Sequence, residues 1–235
     1  MTYSVPMNHA RQRELWEKEH QTPTALKQMD SADASNSVQK LWQFLVDGEF
    51  PRACGVEMGC GKGRNVVWLA QQGVSMNGFD FSEVAITEAK RRAAGVEGAS
   101  FQVADATVRW PFETNQFDFG LDCFASTDIE TPEGRAFAIA EMRRILKPGG
   151  LLMIYVSSTD DEYHNEMIKK SPASERNTFL QPTGKFEKVY DEEEIIELFA
   201  GWDVVHKDRI AKKTEFFGKE YNCNHFWLVL RKPVS

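Results

Sequence analysis

The feature that most constrains this chain is the stretch VEMGCGKGRNVVWLA, at residues 56–70. A short apolar run contains an acid, Glu57, and glycines follow at every second position, Gly59, Gly61 and Gly63, before a helix-like pattern begins. Glycine has no Cβ, so this alternation exposes backbone that a ligand can approach closely. The stretch therefore predicts a ligand site where a strand ends and a helix starts.

Strand-like and helix-like patterns alternate around that loop from about residue 53 to the end of the chain. The apolar runs lie at residues 53–58, 74–80, 100–105, 117–124, 151–158, 202–208 and 225–232. Helix-start signals fall between them: Ser82 as an N-cap, Thr131 followed by Pro132, and Asp191 with Glu194 as a capping box. This order predicts an α/β fold, a doubly wound αβα sandwich of about seven strands.

Two segments lie outside the alternation and define the predicted domain organisation. Residues 1–50 carry two amphipathic helical patterns and are predicted to form an amino-terminal helical cap segment; residues 51–235 form the main domain. Within that domain, residues 157–190 form a long connection that we interpret as a lid-like insertion. The alternatives are that the first segment packs on an edge and that the second is a solvated loop.

Composition narrows the class of partner. The chain has 28 Lys and Arg against 35 Asp and Glu, a net charge of −7, and no dense basic run, which argues against a nucleic acid partner. No apolar stretch approaches the roughly 20 residues needed to span a bilayer, and the first residues lack the apolar region of a signal peptide. The four cysteines show no paired metal-ligand spacing. We expect a cytoplasmic protein with reduced thiols and no membrane partner; no oligomeric state is predicted.

Three kinds of glycine loop fit this sequence to different degrees. A nucleoside-triphosphate loop requires Ser or Thr after Gly-Lys, but Gly63 follows Lys62. A dinucleotide loop requires G-x-G-x-x-G, but Arg64 occupies the last position. What remains is acid-x-Gly-x-Gly-x-Gly, and this resembles the S-adenosylmethionine loop of class I methyltransferases, which usually begins with aspartate rather than Glu57.

Further motifs carry the same resemblance over residues 50–156. Asp80 ends the second apolar run, VADAT contains Asp105, FDFGLDCFAS contains Asp122, and LKPGGLLMI resembles the helix end and fifth strand of the family. The resemblance implies a Rossmann-like sheet, mostly parallel with an antiparallel last strand, and S-adenosyl-L-methionine as the cofactor, with S-adenosyl-L-homocysteine as its product. The cofactor-binding residues that it implies are Glu57, Gly59, Cys60, Gly61, Gly63, Asp80, Phe81, Asp105, Ala106, Asp122 and Cys123.

The implied activity is transfer of a methyl group by direct in-line displacement. No [DNS]-P-P-[YFW] follows the fourth strand and no Pro-Cys pair occurs, so a small-molecule acceptor is predicted, and the loop and carboxyl-terminal pattern are loosely similar to tellurite- and thiopurine-type methyltransferases. The alternative is a protein that binds the cofactor without transferring methyl groups and acts as a sensor or partner.

The catalytic candidates are His164 and Tyr163, which follow the fifth strand; the alternative for His164 is a solvated loop residue. Trp16 either walls the cofactor or belongs to a helix core. Asp122, Asp160 and Asp161 stand where catechol-type O-methyltransferases hold magnesium, but the tetrapeptide after Asp122 does not match that subfamily. No metal is predicted.

Overall fold

The computed structural model describes residues 9–22 and 31–234 of the chain. The helices are α1 (His9–Gln21), α2 (Asn36–Asp47), α3 (Arg64–Gln71), α4 (Glu83–Arg92), α5 (Pro132–Ile145), α6 (Glu162–Lys170) and α7 (Glu192–Leu198). The strands are β1 (Cys54–Met58), β2 (Ser75–Asp80), β3 (Ala99–Val103), β4 (Phe117–Cys123), β5 (Leu146–Ser157), β6 (Thr178–Leu180), β7 (Phe186–Lys188), β8 (Asp203–Phe216) and β9 (Lys219–Arg231).

Seven of these strands form one sheet in the order β3-β2-β1-β4-β5-β9-β8. Strands β1 to β5 pair in parallel, and β9 runs antiparallel to both of its neighbours. The predicted seven-stranded, mostly parallel sheet with an antiparallel last strand is therefore confirmed. The chain order reverses between β1 and β4, and in open α/β sheets ligands bind at that switch point, beyond the carboxyl ends of the strands.

The predicted helix starts are also confirmed, because each cap side chain accepts the hydrogen bond that its position requires. Ser82 accepts from the Ala85 amide at 3.0 Å, and Thr131 accepts from the Gly134 amide at 3.1 Å. Asp191 and Glu194 form a reciprocal capping box at the start of α7. Local hydrogen bonding thus fixes where three helices begin.

Apolar side chains cover both faces of the sheet. One face packs with α5 and α7 around Phe79, Trp110 and Phe226. The other packs with α2 and α3 around Phe119 and Trp227. Helix α2 is part of this core: Leu41 and Leu45 are fully buried in it, and the Trp227 indole donates to the Ser37 carbonyl at 3.1 Å.

Both helical patterns of residues 1–50 form helices, but they differ in how they attach. Helix α2 has a buried apolar face, whereas α1 buries only Gln12 and His20. Residues 1–8 and 23–30 of the expected cap segment lie outside the described residues, as does Ser235. Within the described chain, no helix combines the length and apolarity needed to cross a bilayer.

Residues 157–190 are more regular than the sequence suggested. They contain α6 and the antiparallel β6–β7 hairpin. The apolar side chains of this segment form core: Phe179 and Phe186 are fully buried, and Met167 packs with Phe179 and Tyr221 in a third apolar cluster. The reason is that the last two strands provide an apolar surface for this segment.

Those last two strands are longer than the apolar runs at 202–208 and 225–232 predicted. Strands β8 and β9 pair from Asp203↔Arg231 to Phe216↔Lys219, while β5 pairs with β9 only as far as Ser157↔His225. The outer half of the hairpin therefore extends past the carboxyl end of β5. Its polar sequence, KKTE on one strand and KEYNCN on the other, hid this extension from the apolar pattern.

A substitution in α2 tests whether this helix belongs to the core. Leu41→Ala removes a fully buried side chain and should lower the free energy of unfolding by about 2–5 kcal/mol, as measured by urea denaturation. Gln43→Ala, on the exposed face of the same helix, should change it by less than about 0.5 kcal/mol. Equal stabilities of the two variants would show that α2 is not packed as described.

Candidate active site

A cavity of about 1020 Å³ opens at the carboxyl edge of the sheet. Its walls come from the loop after β1, the ends of β2, β4 and β5, helix α1, the β6–β7 hairpin and the extended part of β8–β9. The volume reaches the upper end of the range that binds one small ligand, about 300–1,000 Å³. The cavity is therefore large enough for a nucleoside-sized ligand with a second molecule beside it.

The three glycines of the loop after β1 all have left-handed backbone conformations, with φ of 62°, 51° and 76° at Gly59, Gly61 and Gly63. A Cβ on Gly59 would lie 2.4 Å from the Ala125 methyl, and one on Gly63 would lie 2.7 Å from the Phe101 ring. A Cβ on Gly61 would meet only the His20 ring, at 3.6 Å. Gly59 and Gly63 are thus required by packing, whereas Gly61 exposes its backbone to the cavity.

Cys60 lies between these glycines and is buried. Its amide donates to the Phe79 carbonyl at 3.0 Å, which ties the loop to β2. Burial raises the pKa of its thiol well above the usual range. Cys60 therefore shapes the loop and is not a nucleophile.

Glu57 is almost completely buried at the end of β1, with 2% of its surface exposed. Oε1 accepts a hydrogen bond from Asn65 Nδ2 at 2.6 Å, while Oε2 has no partner among the described residues. Burial raises the pKa of this carboxyl to about 8. A buried carboxyl oxygen without a partner is costly, so the position is suited to a cationic ligand group.

Asp80 closes β2 beside the glycine loop. Its two oxygens accept from the Gly61 and Ser82 amides, each at 2.9 Å. Burial raises the pKa of this carboxyl, although the two amides oppose the shift. Next to it, the Phe81 ring lies 5.6 Å from the Arg13 guanidinium, and Arg13 also donates to the Phe81 carbonyl at 2.9 Å.

Asp105 and Ala106 lie in the turn after β3. Asp105 Oδ1 accepts from the Thr107 amide and hydroxyl, and Oδ2 lies 2.9 Å from His9 Nε2. Burial raises the pKa of Asp105, but these hydrogen bonds and the neighbouring His9 outweigh it and lower the pKa overall. The Ala106 carbonyl accepts from the Trp110 indole at 3.0 Å.

Asp122 and Cys123 end β4. The Asp122 carboxyl is buried, accepts from the Ser126 amide at 3.1 Å and thereby holds the turn that follows; burial raises its pKa. Burial also raises the pKa of the Cys123 thiol well above the usual range. Phe124 has a φ of 65°, which is uncommon outside glycine, and its ring contacts Tyr155 and His225. Such backbone conformations cluster at functional sites.

His164 and Tyr163 both line the cavity, but neither is solvated. His164 Nδ1 lies 2.7 Å from Asp161 Oδ1, and Nε2 lies 2.8 Å from Glu187 Oε1. Burial lowers the pKa of His164, yet the two carboxylates outweigh it and raise the pKa to about 9. The imidazole is therefore protonated at neutral pH, and both nitrogens already face carboxylates. The Tyr163 ring stacks on Phe216, with centroids 4.2 Å apart.

Sequence reasoning missed two residues of the cavity wall, Lys212 and His225. Both lie on the β8–β9 hairpin, and Lys212 falls in a stretch that carried no strand signal. Neither ring nitrogen of His225 has a hydrogen-bond partner among the described residues. Only the strand register brings these side chains to the site.

The hairpin also brings together a group of possible metal ligands that no sequence spacing indicates. Within the described part of the chain, the ligand atoms of Asp161, Cys223 and His225 lie within 4.8 Å of one another. Asp122 and Asp160, the other two acids of the magnesium alternative, are not in this group. Lys212 interacts electrostatically with Cys223 and His225, which disfavours a cation at that position.

Comparison with known proteins agrees with this geometry. Residues 56–150, from the end of β1 to the beginning of β5, match the family model of a methyltransferase domain. A demethylmenaquinone methyltransferase from Clavibacter sepedonicus is 28% identical over 155 residues, 62% of each chain. A mouse protein described as a probable tRNA methyltransferase 9B is 33% identical over 122 residues, 52% of this chain and 25% of its own length. The chain thus aligns with less than two thirds of the length of these relatives.

Among solved structures, the 1,6-didemethyltoxoflavin-N1-methyltransferase of Burkholderia thailandensis has the same fold, with a TM-score of 0.72 and 15% identity over 99% of this chain and 92% of its own. That structure contains its methyl acceptor and S-adenosylhomocysteine. Residues 56–150 are therefore similar to a methyltransferase domain in sequence, and the fold of the chain is that of class I S-adenosylmethionine-dependent methyltransferases. The resemblance identified from its glycine loop and strand-end acids is confirmed.

The ion pairs of His164 predict a loss of stability at alkaline pH. A pKa raised from roughly 6.5 to about 9 stabilises the folded state fully below pH 6.5, and this contribution disappears as the pH rises through 9. We expect unfolding experiments in urea to show a loss on the order of 3 kcal/mol over that window. His164→Gln lacks the titrating group, so the same decline in the variant would contradict this assignment.

Proposed function

We propose that this protein transfers a methyl group from S-adenosylmethionine to a small-molecule acceptor. The observation that carries the proposal is the unpartnered Glu57 Oε2, buried at the end of the central strand next to the open backbone of Gly61. A positively charged ammonium is the ligand group that would satisfy a buried carboxylate at this position. The methionine part of the cofactor carries such a group.

The other strand-end residues fit the rest of the cofactor. Asp80 is held by the Gly61 and Ser82 amides in a fixed orientation and has lone pairs left for two ribose hydroxyls. Asp105 Oδ2 can accept from the adenine amino group, either beside His9 or in its place. Phe81 and Ala106 would lie against the adenine, and Cys123 at the end of β4 would contact the methionine part.

The bound cofactor supplies a methyl group that its sulfonium already activates. The protein then has to orient the acceptor in line with that methyl group and exclude water. His164 is not proposed as the base that removes a proton from the acceptor, because both of its nitrogens face carboxylates. We propose instead that His164 and Tyr163 hold the wall of the acceptor pocket in place.

Two observations favour a small molecule over a nucleic acid. The cavity is bordered by α1, the β6–β7 hairpin and the extended β8–β9 hairpin, which gives it walls beyond the sheet edge. The net charge of −7 also disfavours a phosphate backbone. The Burkholderia neighbour is a 1,6-didemethyltoxoflavin-N1-methyltransferase, whereas one relative is described as a probable tRNA methyltransferase, so both acceptor classes belong in the experiment.

Labelled S-adenosylmethionine, incubated with a metabolite extract and separately with total tRNA, tests this proposal. Gly61→Val places a branched side chain on backbone that faces the cavity and should abolish both cofactor binding and methyl transfer. Gly73→Val is the matched control, because Gly73 also has a positive φ but no heavy atom within 4 Å of its Cβ position. Binding is measured by calorimetry with S-adenosylhomocysteine.

The results separate the alternatives. Transfer to a metabolite supports the proposal, and transfer to tRNA alone would contradict the small-molecule acceptor. Binding without transfer in either extract would favour a cofactor-binding sensor. Equal loss of binding in both glycine variants would indicate general backbone strain and would remove Gly61 from the site.

We also propose that α1 forms a lid that closes against the β6–β7 hairpin. Helix α1 reaches the cavity mainly through polar contacts: Gln12 bonds the Gly184 carbonyl and the Phe186 amide, and the Lys185 ammonium lies 3.9 Å from the centre of the Trp16 ring. Elements attached by few apolar contacts open more readily than core strands.

Hydrogen exchange should therefore show the α1 amides exchanging faster than those of β1 and β4, and slowing when S-adenosylhomocysteine binds. The β1 and β4 amides should stay protected in both states. Identical exchange of α1 with and without ligand would leave α1 as a fixed wall of the cavity.

A further inference from the structure

The part of the β8–β9 hairpin that extends beyond β5 presents one face to the cavity. Ile210 is paired with His225, Lys212 with Cys223, and Thr214 with Tyr221. Residues that are directly opposed in an antiparallel pair point to the same side, and alternate residues along each strand share that side. Among the residues on this side, Ile210, Lys212, Thr214 and His225 all line the cavity.

The polar groups on this face lack partners. His225 is 3% exposed, and neither ring nitrogen forms a hydrogen bond with a described residue. Lys212 is half-buried, and within the described chain no carboxylate lies within 4 Å of its ammonium group. Its ammonium lies 5.9 Å from the centre of the Tyr155 ring. Buried polar groups are normally hydrogen-bonded, so an unpaired set that converges on a cavity indicates a ligand.

The charge state of the two groups specifies the chemistry of that ligand. Burial and then the nearby Lys212 lower the pKa of His225 to about 4, so the imidazole is neutral and offers one N–H donor and one acceptor nitrogen. Lys212 offers three N–H donors; burial lowers its pKa, and although the Asp161 carboxylate acts on it at longer range, it forms no ion pair with a described residue. An ammonium and an N–H donor on one wall are complementary to an oxyanion.

The neighbouring surface is aromatic. The rings of Phe124, Tyr155 and His225 are mutually edge-on, with centroids 4.8–5.3 Å apart, and Phe216 lines the cavity two residues beyond Thr214. Aromatic walls around a small number of fixed polar groups are typical of sites for planar ligands. Phe124 also adjoins the residues proposed to hold the cofactor, so this surface lies next to the cofactor end of the cavity.

We infer that the methyl acceptor is a planar ring compound carrying an acidic oxygen, a phenolate or a ring carboxylate, which binds between Lys212 Nζ and the His225 imidazole. This inference rests on the proposed methyl transfer, since it assigns the second half of the same cavity. Lys212 neutralises the anion, His225 donates one hydrogen bond to it, and the aromatic side chains contact the ring.

The test uses the full chain saturated with S-adenosylhomocysteine and two probes. For the phenolate, para-nitrophenol is titrated, and ionisation is followed by its visible absorbance. A cation within contact distance lowers the pKa of an acid by one to three units, so the bound probe should ionise at least about tenfold more readily than the free one. For the carboxylate, calorimetry compares benzoate with benzamide, which has the same shape without the charge.

Lys212→Gln should weaken the binding of benzoate or para-nitrophenolate at least about tenfold while leaving S-adenosylhomocysteine binding unchanged. Lys213→Gln is the matched control: its side chain is exposed, points to the other face of β8 and pairs with Glu220 at 2.8 Å. Lys212→Arg should restore much of the affinity. Because Lys212 is an unpaired, half-buried charge, Lys212→Gln should melt no earlier than the wild type, whereas a purely structural lysine would lower the melting temperature.

Several results would overturn the inference without touching the proposed function. These are equal affinity for benzamide and benzoate, equal loss in the Lys212→Gln and Lys213→Gln variants, or no binding of either probe to protein that binds S-adenosylhomocysteine. Failure of the wild type to bind S-adenosylhomocysteine would instead contradict the proposed function itself.

Discussion

The buried carboxyl of Glu57 is the constraint on which the arrangement of the site depends. It ends the central strand, with β2 on one side and β4 on the other, and it is 2% exposed. Only one of its oxygens is satisfied, by Asn65 at the beginning of α3. A carboxyl in this position lowers the stability of the free protein, and burial holds its pKa near 8. This destabilising carboxyl lies at the point where the strand order reverses, which is where open α/β sheets bind ligands.

The glycine loop after β1 also determines the arrangement of the site. The loop must turn sharply above Glu57 and still pack against the neighbouring elements, so Gly59 lies against Ala125 and Gly63 lies against Phe101, both closer than a side chain would allow. These contacts fix the loop between β4 and β3 and leave Gly61 directed to the cavity. The close packing of Gly59 and Gly63 thus both fixes the edge of the sheet and exposes the Gly61 backbone to a ligand.

A residue of the site could be predicted from the sequence only where its immediate neighbours along the chain indicated its place in the fold. Gly59, Gly61, Asp80 and Asp105 lie within or directly after apolar runs. The structure places all four on one cavity because parallel strands end at the same edge. Lys212 and His225 carry no such signal. Their meeting depends on the register of two strands that lack an apolar pattern in their outer halves, and register is set by tertiary packing.

The segment between β5 and α7 also contains contacts that could not be predicted from the sequence. A solvated loop was the alternative interpretation of this segment, but two of its charges neutralise a third: Asp161 and Glu187 hold His164 between them in a buried network. This network joins α6 to β7, and the Asn224 amide, which donates to Asp161 at 3.0 Å, adds β9. Charges that balance across 26 residues of chain cannot be recognised from composition, because a sequence pattern does not show which charges pair.

The two ends of the cavity carry opposite electrostatic character, and this follows from the fold. The carboxyl groups of Glu57, Asp80 and Asp105 line the end formed by β1 to β3, because each residue lies at or near the end of a strand or in the turn after it. The other end is formed by the β8–β9 hairpin and presents Lys212 beside a neutral His225. In the proposed arrangement a cationic cofactor occupies the acidic end and an anionic acceptor the basic end. The attraction between the two ligands would then add to the orientation that the walls impose, and it would be strongest in the partly dehydrated space between them.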